Sequence, residues 1–596
     1  MARTTTRFLI VLLLPLLTAL ALQSSERKTS PFDGMRWKDG KPDVQVEETW
    51  YRPTSIHGTA VEDILAYCEK TWPGMRERRF AEDLVEAMEG MGVELPQAVD
   101  LGLVRLADGE EVTLEGVPMT RAKRNALRDS RKAPKGSRPS SSLPPERLSR
   151  TAALADLEEF RERLEDQFAY LHMKGVDLKG ALDDLAGSFE DEVSSVELAN
   201  GLHRILMMFG DGHARVSSPY TPRPELFPPV LLVEAEGGVV AIRSDRSGLL
   251  DERHPFVLGI DGLAIDAWIG ALSPWIVDGS PQVVRRRALS ALRELVTWRE
   301  QLGREAQGSV VYELADRPDA KRGKQRKVEL GARRPTYGSW PKEESRVLDS
   351  QIGYLRIPRM DSDMEPDLRR AMNEFRDTKG LVVDVRGNGG GSRSLLLALA
   401  GYLVGPDEEP WVGNVAAFRT SARFGEDHLE ARFAYRSDDE RWTNAQADVI
   451  AEVEREFEPE WEPGADFSEW HYLVLDRTGH PDEYFYDRPV VVLCDSGGFS
   501  ATDIFLGALE LHPRVTLMGS ASSGGSARTQ GFRLSRSGLE VRCASMASFR
   551  PDGRLYDGRG IEVDVDVSPA AGDFLEGGGD RCLEVAVKHL SDRPVR

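Results

Sequence analysis

Cysteine is almost missing from this chain: Cys68, Cys494, Cys543 and Cys582 are the only four in 596 residues, widely spaced and without a CxxC. Zinc-ribbon and thioredoxin-type sites need paired cysteines, so both are excluded. A chain of this length needs no disulfide staples. The four are read as free thiols, with one or two bridges left open. Long apolar runs are equally scarce. Beyond the N-terminus no stretch is apolar enough to span a bilayer. Positive charge is in deficit, with Lys+Arg 77 against Asp+Glu 98 and a net charge of −21. Such a surface repels nucleic acid and anionic lipid, so neither is expected as a partner. There is no HExxH, no EF-hand loop and no metal-spaced His/Asp cluster. No metal or organic cofactor is expected.

What remains is a globular composition, 40% hydrophobic and 29% charged, in a chain long enough for roughly three or four domains of about 150 residues. Arg3 and Arg7 precede the 15-residue apolar stretch FLIVLLLPLLTALAL, Phe8 to Leu22. That is short for a membrane span and suits a signal-peptide core, with Ala19-Leu20-Ala21 as the cleavage pattern. Residues 1–21 are therefore expected to be a signal peptide, and the mature chain to be exported to periplasm, cell envelope or medium. An uncleaved membrane anchor is the alternative. Residues 31–127 form a mixed α/β segment, with a helical pattern in RRFAEDLVEAMEGMG and a hairpin expected across Asp108-Gly109. Residues 128–150 are basic and Pro/Ser-rich and cannot bury a core, so they read as a linker.

Helical periodicity returns over 151–218, carried by Leu154, Leu157, Phe160 and Leu164 and then by Leu198, Leu202, Ile205 and Leu206. Residues 225–340 change to short strands, PPVLLVEAEG, VVAIRSD and HPFVLGIDG, as in a small positioning or peptide-docking module. From 350 to 590 strand and helix alternate: IGYLRIPRM, MEPDLRRAMNEFRD, LVVDV, SLLLALAGYLV, RPVVVLCD, TDIFLGALELH, RVTLMG. Alternation with short connections predicts an α/β unit with a parallel sheet. The polar, acidic insertion at 405–486 is expected to be either a lid or a surface elaboration.

Ligands of open α/β sheets gather beyond the carboxyl ends of the strands. After LVVDV comes Arg386-Gly387-Asn388-Gly389-Gly390-Gly391, whose glycines allow close backbone approach and inward N–H groups. It matches neither a P-loop nor GxGxxG. After RPVVVLCD comes Asp495-Ser496-Gly497-Gly498-Phe499-Ser500-Ala501, leading into a helix. Ser500 thus sits at the positive end of a helix, where a nucleophile is favoured and the Ala501 N–H can face an oxyanion. An N-capping serine is the structural alternative. A nucleophilic serine needs a base. His213, in Gly210-Asp211-Gly212-His213-Ala214, follows an Asp set between two turn-forming glycines and is the candidate.

Taken in order, LVVDVRGNGGG, RPVVVLCDSGGFSATDIFLGAL, VTLMGSASSGG and YDGRGIEVDVDV resemble the C-terminal processing (tail-specific) serine peptidases, with the Asp211-Gly212-His213 motif upstream. The likeness runs from about Leu154 to Val567. It implies a crotonase- or ClpP-like catalytic domain preceded by helices and a PDZ-like module, the N-terminal mixed domain lying outside it. It also implies Ser500 as nucleophile, and Ala501 with Gly389 or Gly390 as oxyanion donors. Members with a Ser–Lys dyad carry lysine after the strand matching VTLMG. Here Gly525 stands at that place, so no such dyad operates. The chain is more similar to the tricorn-core branch, with a histidine base and an acidic orienter. His213 matches the base and Asp557, in Asp557-Gly558-Arg559-Gly560, the orienter. Asp211 is the rival acid.

The sequence therefore points to an exported serine endopeptidase acting on peptides or unfolded proteins through an acyl-enzyme, with His213, Ser500 and Asp557 as its constellation. A binding protein on the same fold and a hydrolase of small esters are the rival readings. With an orienting carboxylate, the imidazole is expected to titrate at about 6 to 7.5.

Overall fold

The computed structural model describes residues 29–592, apart from 39, 48, 72–75, 94, 121–122, 125–126, 129–144, 306, 338–340, 342, 422 and 478–482. The expected signal peptide and most of the expected linker lie outside the described residues. The chain divides into two compact units between Ser142 and Leu143.

The first unit is an antiparallel sheet in the order Gly34–Lys38, Lys41–Val46, Thr49–Ile56, Ala98–Arg105, Glu111–Pro118. The hairpin across Asp108-Gly109 is present, with Gly109 at φ +78 supplying the turn. The expected single helix is split into Arg76–Glu82 and Leu84–Gly90 at Asp83. Ile64, Cys68, Phe80, Leu84 and Met88 from the helices meet Val44, Ile56, Val99 and Leu101 from the sheet.

The second unit carries the site. Its central sheet orders the strands Arg346–Val347, Gly353–Arg356, Leu381–Asp384, Val490–Cys494, Val515–Gly519 and Val565–Asp566, antiparallel only at the first pair. LVVD and VVVLC are fully buried, as strands covered on both faces by crossover helices must be. Their carboxyl ends line up, so the loops after Asp384 and Cys494 leave the sheet side by side.

Two further sheets differ from the sequence reading. Trp411–Phe418 and His471–Leu475 pair antiparallel with each other, and the former also pairs with Met546–Phe549. Val415, Ala416, Tyr472 and Leu475 are completely buried. The insertion at 405–486 is therefore part of the core: its two strands are buried, and Leu429 and Ile450 between them are buried as well. The third sheet, Thr529–Arg533 with Glu540–Ala544, takes Arg215–Ser217 as its third strand.

The helices Arg150–Gln167 and Ser195–Met207 are started by Ser149 and by a Ser194/Glu197 capping box. After them, residues 230–329 form a six-stranded antiparallel sheet with the helices Ile265–Leu272, Pro281–Ala291 and Leu295–Gln301. The helical region and this module are not separately cored. One apolar cluster runs from Leu148 through Trp268 and Leu314 to Val415 and Phe549. Boundaries drawn where periodicity changes miss a core that continues across them. All four cysteines are free and buried. Among the described residues no helix is long and apolar enough to cross a membrane.

Candidate active site

Ser500 links the strand Val490–Cys494 to the helix Ala501–Leu509 at φ 63, ψ −120, a conformation L-residues rarely adopt. Two glycines before it and Gly390 beside it permit this turn. A Cβ at Gly390, itself at φ +95, would stand 2.5 Å from the Phe499 carbonyl and 2.7 Å from Ser500 Cβ. Asp495 fastens the two loops together, its Oδ1 accepting from Gly387 N–H at 2.7 Å and Gly497 N–H at 2.9 Å. The Ser500 side chain does not cap its helix. Its Oγ instead stands 3.0 Å from His213 Nε2, across 287 positions of sequence.

His213 arrives there through the small third sheet. Gly210 at φ +78 ends the preceding helix. Asp211 then closes the turn, Oδ1 accepting from His213 N–H at 2.8 Å and Oδ2 from Ala544 N–H at 2.7 Å. Pairing of Arg215–Ser217 with Glu540–Ala544 fixes the turn on the catalytic side. Burial first, then the positive charges of Arg287 and Arg432, push His213 down to about 3. This reverses the upward shift expected from an orienting carboxylate, because none bonds the ring.

Asp557 accepts at Oδ2 from the Tyr170 hydroxyl at 2.7 Å and from Ser526 N–H at 3.0 Å. Among the described residues neither Asp557 Oδ1 nor His213 Nδ1 has a hydrogen-bond partner. The direct bond that the orienter role implies is thus not made: a short carboxylate is tied to Tyr170 and Ser526. Burial, reinforced by the negative charges of Asp211 and Asp503, pushes Asp557 up to about 8. Asp211 Oδ1 lies 3.8 Å from His213 Nδ1, beyond hydrogen-bond reach.

The glycine loop offers backbone donors beside Ser500. The Gly390 N–H donates to Asn388 Oδ1 at 3.0 Å, so of the two loop glycines expected as oxyanion donors it is the one already engaged. Sequence reasoning missed Asp503, whose carboxylate accepts from Ser522 Oγ at 2.5 Å, Gly524 N–H at 3.0 Å and Gly525 N–H at 3.1 Å. Its place three residues after Ser500 was the available signal. It also missed Tyr170 and Arg287, which carry no local signal. Among the described residues no group of three or more His, Cys, Asp or Glu could hold a metal ion.

No curated protein matches the chain. Mature CPAF is 16% identical over 75% of this chain and 99% of its own, with a TM-score of 0.52. Mature CPAF complexed with lactacystin is 18% identical over 74% and 97%, with a TM-score of 0.50. A photosystem II D1 C-terminal processing protease is 15% identical over 74% and 98%, with a TM-score of 0.39. At these identities the CPAF structures speak for the fold. The model of peptidase family S41 matches residues 351–567, the stretch that holds the glycine loop, the Ser500 turn and Asp557. The chain thus carries a peptidase family S41 domain over residues 351–567, which makes it a serine-type peptidase.

Proposed function

We propose that this chain is an exported serine endopeptidase in which Ser500 is the nucleophile and His213 the general base. The observation that carries the reading is the 3.0 Å contact between Ser500 Oγ and a neutral His213 Nε2, made at a turn where the serine is held at positive φ. Ser500 Oγ attacks the peptide carbonyl and its proton passes to Nε2. The tetrahedral oxyanion is received by the N–H groups of Ala501 and Gly389. His213 then returns the proton to the leaving amine, and water resolves the acyl-enzyme by the same route. Asp557 is the acidic member of the constellation, a buried carboxyl with one oxygen unengaged. The antiparallel module over 230–329 is read as PDZ-like and the central unit as crotonase- or ClpP-like, peptides or unfolded proteins being the substrates.

A fluorophosphonate probe tests this directly. It is expected to label Ser500, with labelling abolished in Ser500→Ala and slowed by about a hundredfold or more in His213→Gln. A folded protein that takes no label is a binding module on the same fold. Export rests on the Arg3/Arg7 and Phe8–Leu22 pattern. N-terminal sequencing of secreted material is expected to begin near Leu22, and material beginning at Met1 would favour the anchor.

A further inference from the structure

The ring of Phe499, one residue before the nucleophile, is boxed in by groups from distant parts of the chain. Its centroid lies 4.5 Å from that of His213, with the planes 30° apart. The Arg287 guanidinium stands 5.0 Å over the Phe499 ring, while its Nη2 donates to the Gly212 carbonyl at 2.8 Å. Two glycines close the box. A Cβ at Gly212 would come 2.7 Å from Phe499 Cζ, and a Cβ at Gly525 would also come 2.7 Å from that atom. Neither glycine sits at positive φ, so the backbone asks for glycine at neither place. The ring does.

The imidazole has little else to hold its plane. Its Nδ1 has no hydrogen-bond partner among the described residues, and Asp211 restrains the backbone of His213 rather than its ring. We infer that Phe499 is the positioning residue of the base, a platform that holds the His213 ring against Ser500, and that Gly212 and Gly525 are small because the platform lies over them. The inference rests on His213 as the base. It also gives a physical reason for the glycine at 525, where Ser–Lys members of the family carry lysine: any side chain there meets the ring, so this platform and a dyad lysine exclude each other.

The groups facing His213 are Arg287 from the helix Pro281–Ala291, Arg432 from Glu426–Arg432, Asp211 from its own turn, and Ser500. None is altered in the test. Fluorophosphonate labelling rates of the full chain, followed from pH 4 to 9, are compared for wild type, Phe499→Leu, Gly525→Ala, the double variant and His213→Gln. Wild type is expected to keep its rate down to about pH 5, because a buried imidazole stays neutral there. Phe499→Leu admits water to the ring; labelling slows by about 10- to 100-fold and the acid limb moves up towards that of an ordinary histidine. Gly525→Ala displaces the ring and does the same. Added to Phe499→Leu it costs nothing further, because the two share one cause. Wild-type rate and limb in both single variants, with His213→Gln inactive, would overturn the platform and leave the base reading intact. A fall equal at every pH with an unmoved limb would overturn it too, since that is loss of folded protein. Labelling of His213→Gln at the wild-type rate would instead remove the base reading itself.

Discussion

At φ 63 and ψ −120, Ser500 occupies a backbone region open to glycine and costly for other residues, by about 1–3 kcal/mol. A serine that merely capped the helix would sit in the extended region and bond the helix backbone, as Ser194 and Ser280 do. The strain is therefore tied to where the hydroxyl must point. Ser500→Gly is expected to take no label and yet to be more stable than Ser500→Ala by about 1 kcal/mol, read from thermal or denaturant unfolding of the two. Equal stabilities would mean the turn is unstrained. Ser500 and His213 were legible in the sequence because a pair of glycines precedes each, and glycine clusters betray unusual backbone. Asp557 was legible only by its place within the last motif, YDGRGIEVDVDV. Its real partners, Tyr170 and Ser526, come from a helix end and a loop that no spacing rule connects. Phe499 stands in the motif beside Ser500, but its task depends on two glycines more than 300 positions apart that both meet one ring.

At the level of elements, the alternation of strand and helix from 351 onward predicted the parallel sheet, since continuous apolar runs such as LVVDV and RPVVVLCD are buried on both faces. The second sheet was not legible. WVGNVAAF and HYLVL are separated by a polar excursion of about fifty residues, and the strand that completes the sheet, Met546–Phe549, follows much later. Averaged over a window, such a segment looks like decoration. Its edges are core. Val415, 0% exposed, pairs with both Tyr472 and Phe549. Val415→Ala is accordingly expected to cost about 2 kcal/mol in urea unfolding. A lid that merely folds over the site would tolerate the change within about 0.5 kcal/mol, so a loss that small would restore the lid reading.

For the whole molecule the informative balance is between buried carboxyls and buried imidazoles. Burial pushes Asp211 up to about 6, Asp503 to about 7 and Asp557 to about 8. A carboxyl whose folded pKa lies above its unfolded value near 3.9 holds a proton that the unfolded chain has lost. Its contribution is present at low pH and disappears as pH rises through the folded value. Histidines work in the opposite direction. Burial pushes His213 and His428 down to about 3, and His203, His471 and His512 are lowered too. Each binds a proton in the unfolded chain below about pH 6.5 and not in the folded one, so each removes stability as pH falls through that value. Below pH 6.5 the two sets oppose one another. Above it the histidines are silent, and Asp503 and Asp557 remain, each contributing a slope of up to roughly 1 kcal/mol per pH unit within its window. The unfolding temperature is therefore expected to peak near pH 6 to 6.5 and to fall towards pH 9. Asp557→Asn keeps an oxygen for Tyr170 and Ser526 but cannot ionise, so it should flatten that alkaline fall. Repulsion across a surface of net charge −21 could mimic the decline, but it is screened by salt, whereas buried carboxyls are screened much less. The fall should thus persist at 0.5 M salt in the wild type and be reduced in Asp557→Asn at any salt concentration. A decline that vanished with salt, or that Asp557→Asn left unchanged, would mean Asp557 is ionised in the folded protein at neutral pH.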